Sequence, residues 1–240
     1  MILPMPNNFK ISDGNCHVWM VNFNEMKSNI SFFSNHLSDD EKLRASKFHF
    51  KKDEERFIVF RGVLRFISGK YLNLKPEAVT FKYGEFGKPE FALKADLKFN
   101  ISHSKDMAVM GFVNNFDIGI DIEFMKSDFH VMDIADNYFS KHEIQMLREF
   151  PENLQTEGFY RCWTRKEAFI KAKSKGLSFP LDAFSISIDS ANEAELYETL
   201  WDANEKDLWH ISPFETAKNY KAALAIKGNI ENIDYFDFKL

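Results

Sequence analysis

The chain is poor in several features that would assign a protein to a class at once. Its 240 residues include two cysteines, Cys16 and Cys162, which form neither a metal-binding spacing nor a disulfide framework, so we expect a reducing, cytoplasmic location. The chain has no run of about 18 apolar residues and no secretion-signal pattern, so we expect no membrane span. The net charge of −5 gives no support to nucleic-acid binding, which needs a basic surface.

What the chain does contain is typical of a soluble globular protein. The 26 phenylalanines can fill the core of one large domain or of two small ones. Two capping boxes, Ser38–Glu41 and Ser140–Glu143, predict helix starts, because each pairs a serine with a glutamate three residues later. Apolar residues at helical spacing predict longer helices over 53–72 and 157–174.

Short apolar runs between turn signals predict a set of strands. They lie at 16–23, 79–83, 99–101, 107–113, 118–122, 184–188, 208–212 and 222–226. Each half of the chain therefore combines helices with a small antiparallel sheet. We predict an α+β fold, a pseudo-dimer of two similar halves that cover residues 1–116 and 117–240.

Three carboxylates and a lysine are the strongest candidates for chemistry. Asp121 and Glu123 are two residues apart in a predicted strand, so their side chains point to the same face. Glu167 and Lys171 are four residues apart and share one face of a predicted helix. Such a group suits Mg²⁺ holding a phosphate ester, because Mg²⁺ is usually bound by a few carboxylates, substrate phosphates and waters.

Each of these carboxylates also has a structural interpretation. Asp121 and Glu123 could line a solvated strand face. Glu143 stands at the third helical position after Ser140, where a glutamate caps the helix, so capping and catalysis are both open for it. Glu167 follows Thr164 by three residues and admits a weaker capping interpretation.

A second group of residues could bind phosphate oxygens. Asn100-Ile101-Ser102-His103-Ser104 ends a predicted strand with small donors and an imidazole, although such a segment is also ordinary turn chemistry. Basic residues near the first predicted helices could add arginine forks, which match a phosphate monoester. These are Arg44, Arg56 and Lys88, with Arg61 and Arg65 as further candidates.

Taken in order, five segments resemble the 4′-phosphopantetheinyl transferases of the two-domain, Sfp-type group. The segments are Phe86–Pro89, Asn100–Ser104, Ile118–Glu123, Phe139–Glu143, and Trp163–Lys171 followed by Gly176-Leu177. The resemblance runs from about Ser38 to Ile226. It implies a pseudo-dimer with the active site between the halves, coenzyme A contacts in the first half, and metal-binding carboxylates in the second. A monomer is expected, because the fused halves complete the site.

The resemblance also implies a reaction and a set of roles. The family transfers the phosphopantetheine arm of coenzyme A to a serine of an acyl or peptidyl carrier protein and releases adenosine 3′,5′-bisphosphate. Mg²⁺ would be held by Asp121, Glu123 and Glu167, and Lys171 would neutralise charge on the pyrophosphate. The base would be Glu167 or, as second choice, Glu143. The nucleotide would be held by Ser102, His103, Arg44, Arg56 and Lys88.

Two other functions remain open at this level. A Mg²⁺-dependent phosphohydrolase of nucleotides or pyrophosphates would use the same carboxylates with water as nucleophile. A non-catalytic module could bind coenzyme A or a carrier protein. The chain departs from some relatives at Glu41, where they have a lysine, so part of the basic grip on coenzyme A is absent or moved. Residues 124–138 are a candidate surface for docking the carrier.

Overall fold

A computed structural model describes residues 2–6, 8–176 and 178–240, so Leu177 of the last matching segment lies outside the described residues. Helices α1 to α7 span Phe23–Met26, Ile30–Ser34, Asp39–Ala45, Lys51–Leu72, Val131–Tyr138, Lys141–Glu149 and Glu152–Ala172. Strands β1 to β12 span Ile2–Leu3, Asn15–Asn22, Phe81–Tyr83, Pro89–Phe91, Leu97–Ser104, Met107–Asn114, Asp117–Phe124, Phe184–Ile186, Leu196–Thr199, Trp209–Phe214, Tyr220–Lys227 and Asn232–Asp237. Within these ranges, none of the helices combines the length and apolar character needed to cross a membrane.

The two halves share one topology, and the α+β prediction is confirmed. The first sheet contains the order β2-β6-β5, and the second has the order β7-β11-β10, with every pair antiparallel. In each half a long helix, α4 or α7, lies between the first strand and the hairpin that follows. Both capping boxes form, since the Ser38 and Ser140 amides donate to Glu41 and Glu143.

The end of the chain lies in the first sheet, whereas the sequence-based boundary assigned it to the second half. Strand β12 pairs parallel with β2, and β1 pairs parallel with β12 on its other side. Phe236 stacks on Trp19 at 4.7 Å between ring centroids, and Phe238 is buried beside Phe33. The apolar surface of the first core therefore draws the tail away from the half that precedes it.

Strand β7 and helix α7 touch through their backbones, and this contact brings the candidate site together. A Cβ atom on Gly119 would lie 2.0 Å from the Ala168 carbonyl oxygen and 2.3 Å from the Ala172 nitrogen. Only a residue without a side chain allows this approach. The contact sets Glu167 and Lys171 of α7 directly over the strand that carries Asp121.

Candidate active site

Asp121 is the centre of the site. The residue is only 2% exposed. Oδ1 accepts hydrogen bonds from Lys171 Nζ at 2.6 Å and from Ser102 Oγ at 2.8 Å. Oδ2 is buried and has no hydrogen-bond partner among the residues that the structure describes. A buried carboxylate oxygen without a donor is costly, so this atom is a ready ligand for a cation.

Two further carboxylates lie within electrostatic reach of Asp121. Glu123 is half-buried and accepts a hydrogen bond from Ser104 Oγ at 2.8 Å. Burial, followed by the charge of Asp121, raises its pKa. Glu167 is 8% exposed, and burial, followed by Asp121, raises its pKa to about 7 despite the opposing charge of Lys171. The charge of Asp121 thus raises the energy of the ionised forms of Glu123 and Glu167.

The donor set fits Mg²⁺ in its chemistry. It offers carboxylate oxygens, one of them unpartnered, and a local excess of negative charge that a divalent cation would relieve. Within the described ranges, no three acidic, histidine or cysteine side chains stand close enough together to form a metal site as placed. The ammonium of Lys171 is instead the cation that Asp121 contacts.

His103 lies in a positively charged part of the site. Its ring stacks against Phe60, with 5.8 Å between centroids and 30° between planes. Desolvation, followed by the charges of Lys171, Arg56 and Arg44, lowers the pKa of His103, although the residue is exposed at the surface. Arg44 itself is exposed, with its guanidinium 5.2 Å from the ring centre of Phe57. This group of cations is suited to an anionic ligand.

The other predicted nucleotide-binding residues already have partners inside the protein. Arg56 donates to Asp106 at 2.6 and 2.9 Å and to Asp53 at 3.0 Å. Lys88 donates to the Ile118 carbonyl at 2.8 Å, and burial lowers its pKa to about 8. Ser102 donates a hydrogen bond to Asp121 and accepts one from Lys171. Of the five residues, the structure leaves His103 and Arg44 most open to a ligand.

Glu143 lies apart from the three carboxylates in a closed internal cluster. Its side chain and that of Lys166 are 0% exposed, with 2.8 Å between Oε1 and Nζ. Oε1 also accepts from the Ile186 amide at 2.8 Å, and Oε2 accepts from the Ser140 amide at 2.9 Å. The capping interpretation of Glu143 is therefore correct, and its burial leaves a substrate hydroxyl no access to it.

Neutralising Glu143 is expected to destabilise the fold. Glu143→Gln leaves the Lys166 ammonium buried without a counterion, which costs about 3–5 kcal/mol. Chemical denaturation of this variant should show that loss. The double variant Glu143→Gln/Lys166→Met should recover part of the stability, because no buried charge remains. A stable Glu143→Gln protein that had lost its activity would instead restore the base role to Glu143.

Two other sequence-based interpretations change in the structure. Glu41 is buried between Arg61 and Arg65, whose charges and hydrogen bonds hold its pKa below the usual value although burial opposes them. It anchors α3 to α4 through these two arginines. Within 124–138, Val131 and Met132 pack into an internal apolar cluster, so they form core and not a docking surface.

Sequence reasoning missed the internal partners of the site. Asp106, which holds Arg56, and Ser104, which holds Glu123, are separated from their partners by 50 and 19 positions. Lys166 satisfies Glu143 and the carbonyls of Leu181 and Phe184 at 2.8 and 2.6 Å. No local pattern marks such pairs, because they form between distant segments.

Comparison with known proteins gives consistent matches over most of the chain. The model of the 4′-phosphopantetheinyl transferase superfamily matches residues 117–225, and that of the N-terminal part of 4′-phosphopantetheinyl transferase matches residues 21–113. The chain is 31% identical to 4′-phosphopantetheinyl transferase HetI of Nostoc sp., over 94% of this chain and 93% of that protein. It is 34% identical to a 4′-phosphopantetheinyl transferase of Bacillus subtilis, over 78% and 81% of the two chains. It is 32% identical to the transferase Sfp of B. subtilis strain 168, over 80% and 83%.

Proposed function

The chain belongs to the 4′-phosphopantetheinyl transferase superfamily, and from that premise we propose its reaction. It transfers the 4′-phosphopantetheine arm of coenzyme A to a serine of an acyl or peptidyl carrier protein and releases adenosine 3′,5′-bisphosphate. The observation that carries this proposal is the contact of β7 with α7, which places Glu167 and Lys171 over the strand that carries Asp121 and Glu123 and brings Lys171 Nζ to 2.6 Å from Asp121. Phosphoryl transfer depends mainly on positioning and on neutralising charge, and this group can do both.

Mg²⁺ is the metal that we propose for these carboxylates. Asp121, Glu123 and Glu167 would hold it, and the unpartnered Oδ2 of Asp121 supports this assignment. When bound, Mg²⁺ would act as a Lewis acid on the diphosphate of coenzyme A. Lys171, whose ammonium is 2.6 Å from Asp121, can donate to a phosphate oxygen as charge accumulates on the leaving bisphosphate.

Glu167 is the residue that we propose to accept the serine proton. The serine oxygen forms the new bond to phosphorus, and the bond from phosphorus to the oxygen of the departing bisphosphate breaks. Burial, followed by the charge of Asp121, raises the pKa of Glu167 to about 7 in the metal-free protein, so this carboxylate takes up a proton more readily than an ordinary glutamate. A bound cation would lower that pKa, so the value describes the site before the metal binds. Glu143 is unsuited to the role because it is fully buried and paired with Lys166.

The nucleotide side of coenzyme A fits the cationic part of the site. We propose that His103 and Arg44 bind its phosphates directly. Arg56 contributes its charge from a fixed position between Asp53 and Asp106. The two halves of the chain together supply all of the residues proposed for the site, so the site needs no second subunit, and we propose a monomer. The two free, buried cysteines are in keeping with a reducing cytoplasm.

The reaction is tested by weighing an apo carrier protein after incubation with the protein, coenzyme A and Mg²⁺. We expect a gain of one phosphopantetheine that disappears with EDTA and with a carrier whose acceptor serine is alanine. Release of bisphosphate without any gain on several carriers would indicate a phosphohydrolase. Binding of coenzyme A with neither gain nor release would indicate a non-catalytic module.

A further inference from the structure

Strand β7 has a free edge that faces the first half of the molecule. It is the last strand of its sheet, with β11 on its other side. The Met125 amide donates to the Asn219 carbonyl, which continues the pairing towards β11. Because successive backbone groups of a strand point to opposite sides, the amides of Ile120 and Phe124 face away from β11. Unpaired amides at a buried edge need acceptors from elsewhere.

Side chains of β5 supply those acceptors. Asn100 Oδ1 accepts from the Ile120 amide at 2.9 Å, and Ser104 Oγ accepts from the Phe124 amide at 3.1 Å. The two residues are four positions apart on one strand, so both point to the same face. Strands β5 and β7 belong to different sheets. Side-chain hydrogen bonds from Asn100 and Ser104 of β5 therefore join the two halves at the active site, where a continuous sheet would have backbone hydrogen bonds.

Two serine hydroxyls on the same face of β5, those of Ser102 and Ser104, also orient the carboxylates of Asp121 and Glu123. Ser102 Oγ donates to Asp121, and Ser104 Oγ donates to Glu123, each at 2.8 Å. The Ser104 hydroxyl accepts from the backbone of β7 and donates to a carboxylate of the same strand. It consequently sets both the position of the strand and the direction of the Glu123 side chain.

This geometry differs from the phosphate-binding interpretation of Asn100–Ser104. A hydroxyl has one proton to donate. Those of Ser102 and Ser104 go to carboxylates, so neither hydroxyl can also donate to a phosphate while that bond lasts.

We propose that Ser104 is a positioning residue, which holds Glu123 in the orientation needed to bind the cation. Asn100 assists by fixing the same edge of β7. This inference rests on the metal role proposed above. Loss of a group that orients a metal ligand typically weakens metal affinity by about 10- to 100-fold.

The test uses Mn²⁺ as a probe, with free Mn²⁺ measured by electron paramagnetic resonance and displaced by Mg²⁺. Ser104→Ala should bind Mn²⁺ about tenfold more weakly than the unaltered protein. At saturating Mg²⁺ its KM for coenzyme A should change by less than about twofold, since the hydroxyl donates to Glu123 and not to the nucleotide. Ser104→Thr keeps the hydroxyl and should restore binding.

Ser212→Ala is the matched control. Ser212 lies on β10, two strands from the free edge of β7, and its hydroxyl donates to the Pro213 carbonyl at 3.4 Å. Its loss should leave Mn²⁺ binding unchanged. Equal Mn²⁺ affinity in Ser104→Ala and the unaltered protein would overturn the positioning role, even if the variant melted at a lower temperature. A raised KM for coenzyme A with unchanged Mn²⁺ affinity would return Ser104 to the phosphate-binding interpretation.

The outcomes separate this inference from the proposed function. Failure of the unaltered protein to bind Mn²⁺ at a site shared with Mg²⁺ would overturn the metal assignment and the positioning role together. Transfer activity measured on the same samples would then show whether the transferase assignment stands without a metal. Metal binding that is intact in Ser104→Ala would overturn the positioning role alone.

Discussion

Glu167→Gln should reduce transfer to a carrier protein by about a hundredfold to ten-thousandfold, the range expected when a positioned base is lost. Glutamine has nearly the same size as glutamate, but it can neither accept the serine proton nor add negative charge beside Asp121 and Glu123. The effect should appear in kcat, measured from the mass of the carrier over time. Near-normal transfer would exclude Glu167 both as base and as metal ligand.

Two controls distinguish this effect from misfolding. Glu152→Gln changes an exposed residue at the start of the same helix and should retain activity. In metal-free buffer, the free energy of unfolding of Glu167→Gln should also depend less on pH than that of the unaltered protein does, because the variant lacks the titrating carboxyl group. The raised pKa of Glu167 means that the folded state holds its proton more tightly than the unfolded chain does. That stabilisation is present at low pH and is lost as pH rises from about 4.5 to about 7.

Gly119→Ala should destabilise the protein by about 3 kcal/mol and remove most transfer activity. The added methyl group would meet the Ala168 oxygen at 2.0 Å and the Ala172 nitrogen at 2.3 Å. Both are backbone atoms of a helix, so neither can rotate away. Helix α7 must shift from β7, and Glu167 and Lys171 shift with it. Urea denaturation and the carrier assay measure the two effects.

Gly84→Ala provides the comparison for this change. A Cβ atom there would meet only the Lys88 carbonyl oxygen, at 3.8 Å, which is ordinary contact. It should leave stability and transfer nearly unchanged. A Gly119→Ala protein as stable and active as Gly84→Ala would show that the close contact of β7 with α7 is not needed.

Much of the local structure could be predicted because it depends on neighbours in the chain. The Ser140 and Glu143 capping box forms as expected, since both partners lie within one turn. The spacing of Asp121 and Glu123 placed them on one face of a strand, and that of Glu167 and Lys171 on one face of a helix. The resemblance to known transferases further implied that these two faces meet.

The partners of individual side chains could not be predicted in the same way. Glu143 had two local interpretations, and only the burial of Lys166 against it decides between them. Arg56 looked available for a phosphate until Asp106, 50 positions away, was placed beside it. These contacts depend on where two elements lie in space, about which spacing along the chain carries no information.

The sequence by itself determined the two long helices, the two helices that begin with capping boxes, most of the strands and the chemical character of the three candidate carboxylates, because hydrogen bonding and side-chain alternation within an element are set by adjacent residues. Only the tertiary structure decided that the tail joins the first sheet and that Gly119 lies against α7. It also decided that the Ser104 hydroxyl donates its hydrogen bond to Glu123. These contacts arise when separate elements bury apolar surface and satisfy each other's polar groups, and their partners are far apart along the chain.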